Sequence, residues 1–107
     1  MPVTISDFQK LEIKIGKVLT AEKIESSDKL IKLNIDFGAE KRQVVAGMAE
    51  FLSPEHFIGK EIPVLVNLEM RKIKGIESHG MVLAADVDGE PVLLHPEKEV
   101  PAGSEVK

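Results

Sequence analysis

The stretch Leu11-Glu12-Ile13-Lys14-Ile15-Gly16-Lys17-Val18 places Leu11, Ile13 and Ile15 at every second position, with Glu12 and Lys14 between them. Side chains of an extended strand alternate between two faces, so this spacing predicts a half-buried strand. Gly16 interrupts the alternation before Val18, as a bulge in a long bent strand does. Ile31, Leu33, Ile35 and Phe37 repeat the pattern against Lys32, Asn34 and Asp36. Gly38-Ala39-Glu40 then reads as a turn, and Arg42 to Ala46 as the returning hairpin partner. Ser53-Pro54-Glu55 has a hydroxyl for a cap, proline at the first helical position and an acid in the first turn, and Gly59 stops that helix after about one and a half turns. Strands at Glu61–Val66 and Met81–Val87 follow. Asp88-Gly89 turns the chain into a short strand at Pro91–Leu94, and Pro96 and Pro101 break up the tail. A second short helix, capped by Ser6, is expected near the N-terminus.

Three strands, a short helix and two more strands make an all-β chain. Ile and Val number 21 against 17 for Leu and Ala, which also favours strands. A five-stranded Greek-key barrel with a short helix between strands 3 and 4 is the OB-fold arrangement, although the pattern alone also suits another small barrel. The 107 residues are read as one domain, 1–107, with the barrel over about 7–87 and a C-terminal extension over about 88–107.

Composition narrows the function classes. Apolar residues make up 43% and charged residues 30%, as in an ordinary folded domain. With no cysteine, thiolate zinc sites, disulfides, iron–sulfur clusters and thiol nucleophiles are all excluded. No apolar run approaches the ~18 residues of a membrane helix, and MPVTISDFQK lacks a signal peptide's apolar region, so a cytoplasmic location is expected. The net charge of −4 argues against an indiscriminate nucleic-acid coat. The acidity is local, however: residues 82–107 hold two lysines against six acids, while residues 1–81 balance at twelve of each sign. Twelve lysines, thirteen glutamates and only four amide side chains lean towards a heat-adapted source.

No active site assembles. His56, His79 and His95 stand at no metal-ligand spacing from one another, so no metal or cofactor is implied. Ser78 beside His79 does not make a nucleophile and base, because such groups converge from separate segments. Gly75 to Gly80 lacks the Lys and Ser/Thr of a phosphate loop. Binding is better served. Asn67-Leu68-Glu69-Met70-Arg71-Lys72-Ile73-Lys74-Gly75 falls between the fourth and fifth strands, the loop that borders an OB-fold's ligand groove, and carries three cations in four residues. Lys29, Lys32 and Arg42 come from other parts of that surface. Four Phe, with no Tyr or Trp, and with Phe37 and Phe57 at core positions, do not suit a reader of extended single strands. A reader of a folded RNA's backbone and shape needs donors rather than platforms, and that remains open.

Several ordered stretches resemble the tRNA-binding domain family, whose members include the C-terminal domain or separate β subunit of methionyl-tRNA synthetases, stand-alone tRNA-binding proteins and a secretion-related chaperone. They are Lys10 to Val18, Ser27-Asp28-Lys29-Leu30, Arg42-Gln43-Val44-Val45-Ala46-Gly47, Asn67-Leu68, Gly75-Ile76-Glu77-Ser78-His79-Gly80-Met81 and Pro101-Ala102-Gly103-Ser104. Two positions depart from the family pattern: Glu25-Ser26 replaces an often-found His-Pro, and Met70 an often-found proline. The resemblance implies an OB-fold with a C-terminal extension, homodimerisation, binding of tRNA by shape, and no catalysis of its own. It implies tRNA-binding positions at Lys29, Arg42, Asn67, Ser78 and Met81, with Lys72 and Lys74 as loop cations. The implied partners are tRNA, a second copy and the catalytic chain of methionyl-tRNA synthetase, without a membrane or a metal. A peptide-binding chaperone on the same fold is the alternative.

Overall fold

In the computed structural model, which describes residues 1–107, the first alternating stretch becomes β1, Ile13–Lys23. β2 (Ile31–Asp36) and β3 (Lys41–Ala46) follow it as an antiparallel meander. β4 (Glu61–Leu65) pairs with the first half of β1. The remaining strands are β5 (Arg71–Ile73), β6 (Ile76–Ser78), β7 (Met81–Val82), β8 (Ala84–Val87), β9 (Glu90–Leu93) and β10 (Glu105–Val106). The main sheet runs β3-β2-β1-β4-β7, with β10 attached to β1. A meander whose first strand also pairs with the fourth, and a fifth strand beside the fourth, is the OB-fold order expected above. No helix is long and apolar enough to cross a membrane.

The alternation of β2 settles the interior. Ile31, Leu33 and Ile35 are fully buried, and they form one cluster with Val18, Phe37, Val44, Phe57, Ile62, Val64 and Val82. Burying an aliphatic side chain of this size contributes about 1.5–3 kcal/mol, so this stripe is the main source of stability.

Four local expectations are corrected. Gly16 is not the bulge: the register of β1 against β2 shifts between Val18 and Thr20, at Leu19. Gly16 serves close approach instead, since a Cβ there would lie 2.7 Å from the Phe37 ring and collide with Ile35. Ile15 therefore faces away from the main cluster. It is buried by the tail, where its N–H donates to the Ser104 carbonyl (2.8 Å) and its own carbonyl accepts from Gly103 N–H (2.7 Å). The helix expected at Ser53 shrinks to a 3₁₀ turn at Pro54–His56, and Ser53 makes no capping bond. The turn ends early because Phe57 drops into the core directly after it, and Gly59, at φ +81°, turns the chain away.

The N-terminal helix α1 spans Ile5–Phe8 and is capped by Thr4, not Ser6. Thr4 Oγ1 accepts from Asp7 N–H (3.1 Å) while the Asp7 carboxylate accepts from Thr4 N–H (3.2 Å), a reciprocal capping box. Finally, Met81–Val87 is two strands. Met81 and Val82 pair with Leu65 and Val64, and Leu83 N–H still reaches the Pro63 carbonyl (3.0 Å). Pro63 has no N–H to return, so the ladder ends there. Ala84–Val87 leaves the barrel and pairs with β9 around the Asp88-Gly89 turn.

Candidate nucleic-acid interface

The expected loop between the fourth and fifth barrel strands is a hairpin. Arg71 pairs with Ser78, Lys72 with Glu77 and Ile73 with Ile76. Lys74 and Gly75 form its turn with φ of 51° and 81°, the left-handed pair that a two-residue hairpin loop requires. Sequence reading missed it because Lys-Gly is a weak turn signal and both strands are only three residues long. Arg71, Lys72 and Lys74 are exposed, and none makes an ion pair. Glu77, opposite Lys72, is engaged instead by His79, whose Nε2 donates to its carboxylate at 3.0 Å. The three cations therefore keep their charge available.

β6 lies along the free edge of β3 and closes the barrel, largely through side chains. The Ser78 hydroxyl accepts from Val45 N–H (3.0 Å) and donates to the Gly80 carbonyl (3.0 Å), with Ser78 only 1% exposed. Gln43 contributes twice: its carbonyl accepts from His79 N–H (2.9 Å) and its Nε2 donates to the Glu77 carbonyl (2.9 Å). Arg42 Nη1 donates to the carbonyls of Val66 and His79, and its Nε donates to Glu40 at 2.6 Å. Asn67 fastens the lead into β1, accepting from Glu12 N–H (2.8 Å) and donating to the Lys10 carbonyl (2.7 Å).

The sequence-derived site residues thus fall into two groups. Asn67 holds the lead into β1, Arg42 and Ser78 hold this seam, and so does Gln43, which the site reading omitted. Its position on the outward, polar side of β3 was the signal that could have found it. Lys72, Lys74 and Met81 carry exposed side chains around it, and Met81 on β7 is 37% exposed, outside the core. Lys29 is also exposed, on the β1–β2 connection. Lys32 is not a free groove cation, because it pairs with Glu22 at 2.7 Å. A shallow depression of about 350 Å³ over Thr20, Lys32, Asn34 and Gln43 marks the outer face of β1–β3. No cluster of three or more His, Cys, Asp or Glu side chains could hold a metal.

Comparison with known proteins agrees with this geometry. The family described as "Putative tRNA binding domain" matches residues 13–105. The methionine–tRNA ligase of Archaeoglobus fulgidus is 57% identical over 104 residues, which are 97% of this chain and 16% of that enzyme. That of Methanothrix thermoacetophila is 50% identical over 105 residues, 98% of this chain and 16% of that enzyme. The chain therefore spans about one sixth of these relatives' length, and the region it matches is C-terminal. The crystal structure of a MetRS-related protein from Pyrococcus horikoshii superposes with a TM-score of 0.96 at 40% identity, covering 100% of this chain and 99% of that one. The chaperone CsaA of Bacillus anthracis gives 0.90 at 32% identity, with both chains covered completely. A match over nearly the whole barrel, at this identity and with this strand order, makes the chain a member of the tRNA-binding domain family.

Proposed function

We propose that this chain is a non-catalytic tRNA-binding module that works in the cytoplasm beside the catalytic part of a methionyl-tRNA synthetase. The observation that carries this reading is the basic hairpin: three unpaired cations on a two-strand arm pinned to the barrel edge by Gln43 and Ser78. Cations held in fixed relative positions suit the phosphates of a folded RNA, which are read by spacing rather than by base identity. Among the sequence-derived positions, Lys29, Lys72, Lys74 and Met81 are the ones we assign to direct contact. Arg42, Asn67 and Ser78 are assigned to holding the groove's shape. Filter binding of unmodified tRNA at two salt concentrations tests the reading. Affinity should fall steeply with salt, by ~0.7–0.9 in log–log slope per phosphate contact.

Homodimerisation through the barrel and its extension, residues 88–107, belongs to the same proposal. Val87, Val92 and Leu94 of the β8–β9 arm are 56%, 45% and 44% exposed. Phe8, Leu11, Ile13 and Val106 line a cavity of about 550 Å³ between α1 and β10. Apolar surface of this kind, at the edge of a small barrel, suits a second copy. A sedimentation mass near 11.7 kDa at micromolar concentration would end that part of the proposal.

A peptide-binding chaperone is the second reading. It is favoured by the likeness to CsaA and by Leu68 and Met70, exposed at 36% and 45% just before the basic hairpin. It requires binding of unfolded polypeptide that neither salt nor tRNA displaces.

A further inference from the structure

We propose that Phe51, with Lys29 on the connection tied to its loop, is a stacking subsite for a single unpaired base of the bound RNA, an inference that rests on the tRNA-binding reading above. The chain has four phenylalanines and neither tyrosine nor tryptophan. Phe37 and Phe57 are buried and Phe8 lies on α1, whereas Phe51 is 50% exposed on the connection between β3 and β4.

That connection is fastened from beneath. The Met48 carbonyl accepts from the N–H of both Phe51 (3.1 Å) and Leu52 (3.0 Å). Met48, Ala49 and Leu52 pack against the core cluster, while Phe51 turns outward, as does Ile58 beyond the Pro54–His56 turn (50% and 48% exposed). A ring on an anchored backbone has only two side-chain torsions left to lose on binding, so it is a low-entropy platform.

The surroundings select the ligand. Gly47, Glu50 and Ser53, its neighbours along the loop, are exposed and not apolar. Of the two exposed apolar side chains on this connection, only Phe51 offers an aromatic face. A protein partner needs several hundred Å² of surface, far more than this, but a nucleobase needs one face. The second element is the bond from Ala49 N–H to the Lys29 carbonyl (3.0 Å), which ties the β1–β2 connection to this loop. Lys29 is exposed and carries no ion pair, so the loop tied to the one that bears Phe51 offers a cation for the phosphate. Ile31 pairs with Ala46, so both loops leave from the same end of the β2–β3 surface that β6 borders. Loops and ends of a folded RNA supply bases free to unstack, and stacking accepts any of the four.

Phe51→Ala should melt as the wild type does while binding tRNA about 5- to 100-fold more weakly. Its salt slope should be unchanged, because every phosphate remains paired with its cation. Phe51→Tyr should bind as the wild type does and Phe51→Leu should not, since leucine keeps the apolar volume without the aromatic face. Phe51→Trp would give the chain its only tryptophan, and added tRNA should quench its emission. If the wild type binds tRNA but Phe51→Ala binds equally well and the tryptophan stays silent, the subsite is refuted and the tRNA-binding reading stands. If the wild type fails to bind tRNA even at low salt, both fall. Emission that responds to unfolded polypeptide and not to tRNA overturns the subsite in favour of a peptide site.

Discussion

Replacing Ser78 by alanine separates a scaffold role from a contact role at the centre of the interface. The hydroxyl accepts from Val45 N–H and donates to the Gly80 carbonyl, both at 3.0 Å. At 1% exposure no water can take its place. The Val45 N–H would be left buried and unpaired, at about 1–3 kcal/mol, while the Gly80 carbonyl would give up one hydrogen bond of about 1 kcal/mol. A total of about 3 kcal/mol, the middle of the summed range, corresponds to a melting temperature lower by roughly 12–24 °C in a domain of this size. Binding should respond differently. The hydroxyl cannot touch RNA, and Gln43 still holds the hairpin through two bonds. Well below both melting temperatures, tRNA affinity should stay within about threefold, under 1 kcal/mol. Circular dichroism melts and filter binding on one preparation measure both quantities. A variant that melts like the wild type but binds tRNA tenfold or more weakly would make Ser78 a contact residue and refute the scaffold assignment.

The remaining predictions divide along the same line. Lys72→Ala with Lys74→Ala should leave stability within about 0.5 kcal/mol, since alanine meets the same backbone cost as lysine at φ 51°. The log–log salt slope of tRNA binding should become shallower by ~0.7–0.9 for each phosphate left without its cation, and wild-type affinity and slope would remove the hairpin from the interface. Met81→Ala should lower affinity at unchanged melting temperature, because the side chain is 37% exposed and outside the core cluster; a fall in stability alone would place it in the core. Removal of residues 88–107 strips β10 and the Gly103–Ile15 bond from β1, leaving an unpaired edge beside Ile15. Light scattering should then show monomers or aggregates, and a soluble dimer would count against the extension's role.

The barrel was legible wherever one face of a strand had to be buried. Ile31, Leu33, Ile35 and Phe37 declared β2 by alternation alone, because a slip of one residue would turn them all to solvent. The misreadings occur where two devices share one signal. Gly16 interrupts an apolar pattern, and a bulge and a close approach look identical in sequence. Only the third dimension shows Ile35 and Phe37 occupying the space of its missing side chain. Met81–Val87 reads as one apolar run because nothing in the run marks its break. The break comes from its partner strand, at Pro63. Serine is the better cap by residue type, which favoured Ser6, and Thr4 takes the position because its reach to Asp7 completes a reciprocal pair.

Exposed charges were legible in the sequence and the structural roles of the polar residues were not, for a physical reason. A lysine at or beside a hairpin tip has few structural uses, and Lys72 and Lys74 are exposed without an ion pair. Arginine, asparagine and serine can serve a ligand or the backbone equally well, and here the backbone takes them, Arg42 and Ser78 in the seam and Asn67 at the lead into β1. β3 cannot join β6 through a regular ladder, because β6 is three residues long and must turn at once into β7. The backbone groups a longer strand would satisfy are met instead by Arg42 at Val66 and His79, Gln43 at Glu77, and Ser78 at Val45. A buried polar group without a partner costs more than a made bond contributes, so these side chains are required whatever the groove binds. The same seam fixes where the basic hairpin stands, and on the proposed function it thereby sets the spacing at which phosphates are met. On the proposed function, substituting a seam residue should lower stability first and reach binding only as the fold loosens, whereas substituting a hairpin lysine should weaken binding at unchanged stability. Stability measured beside affinity tells the two apart.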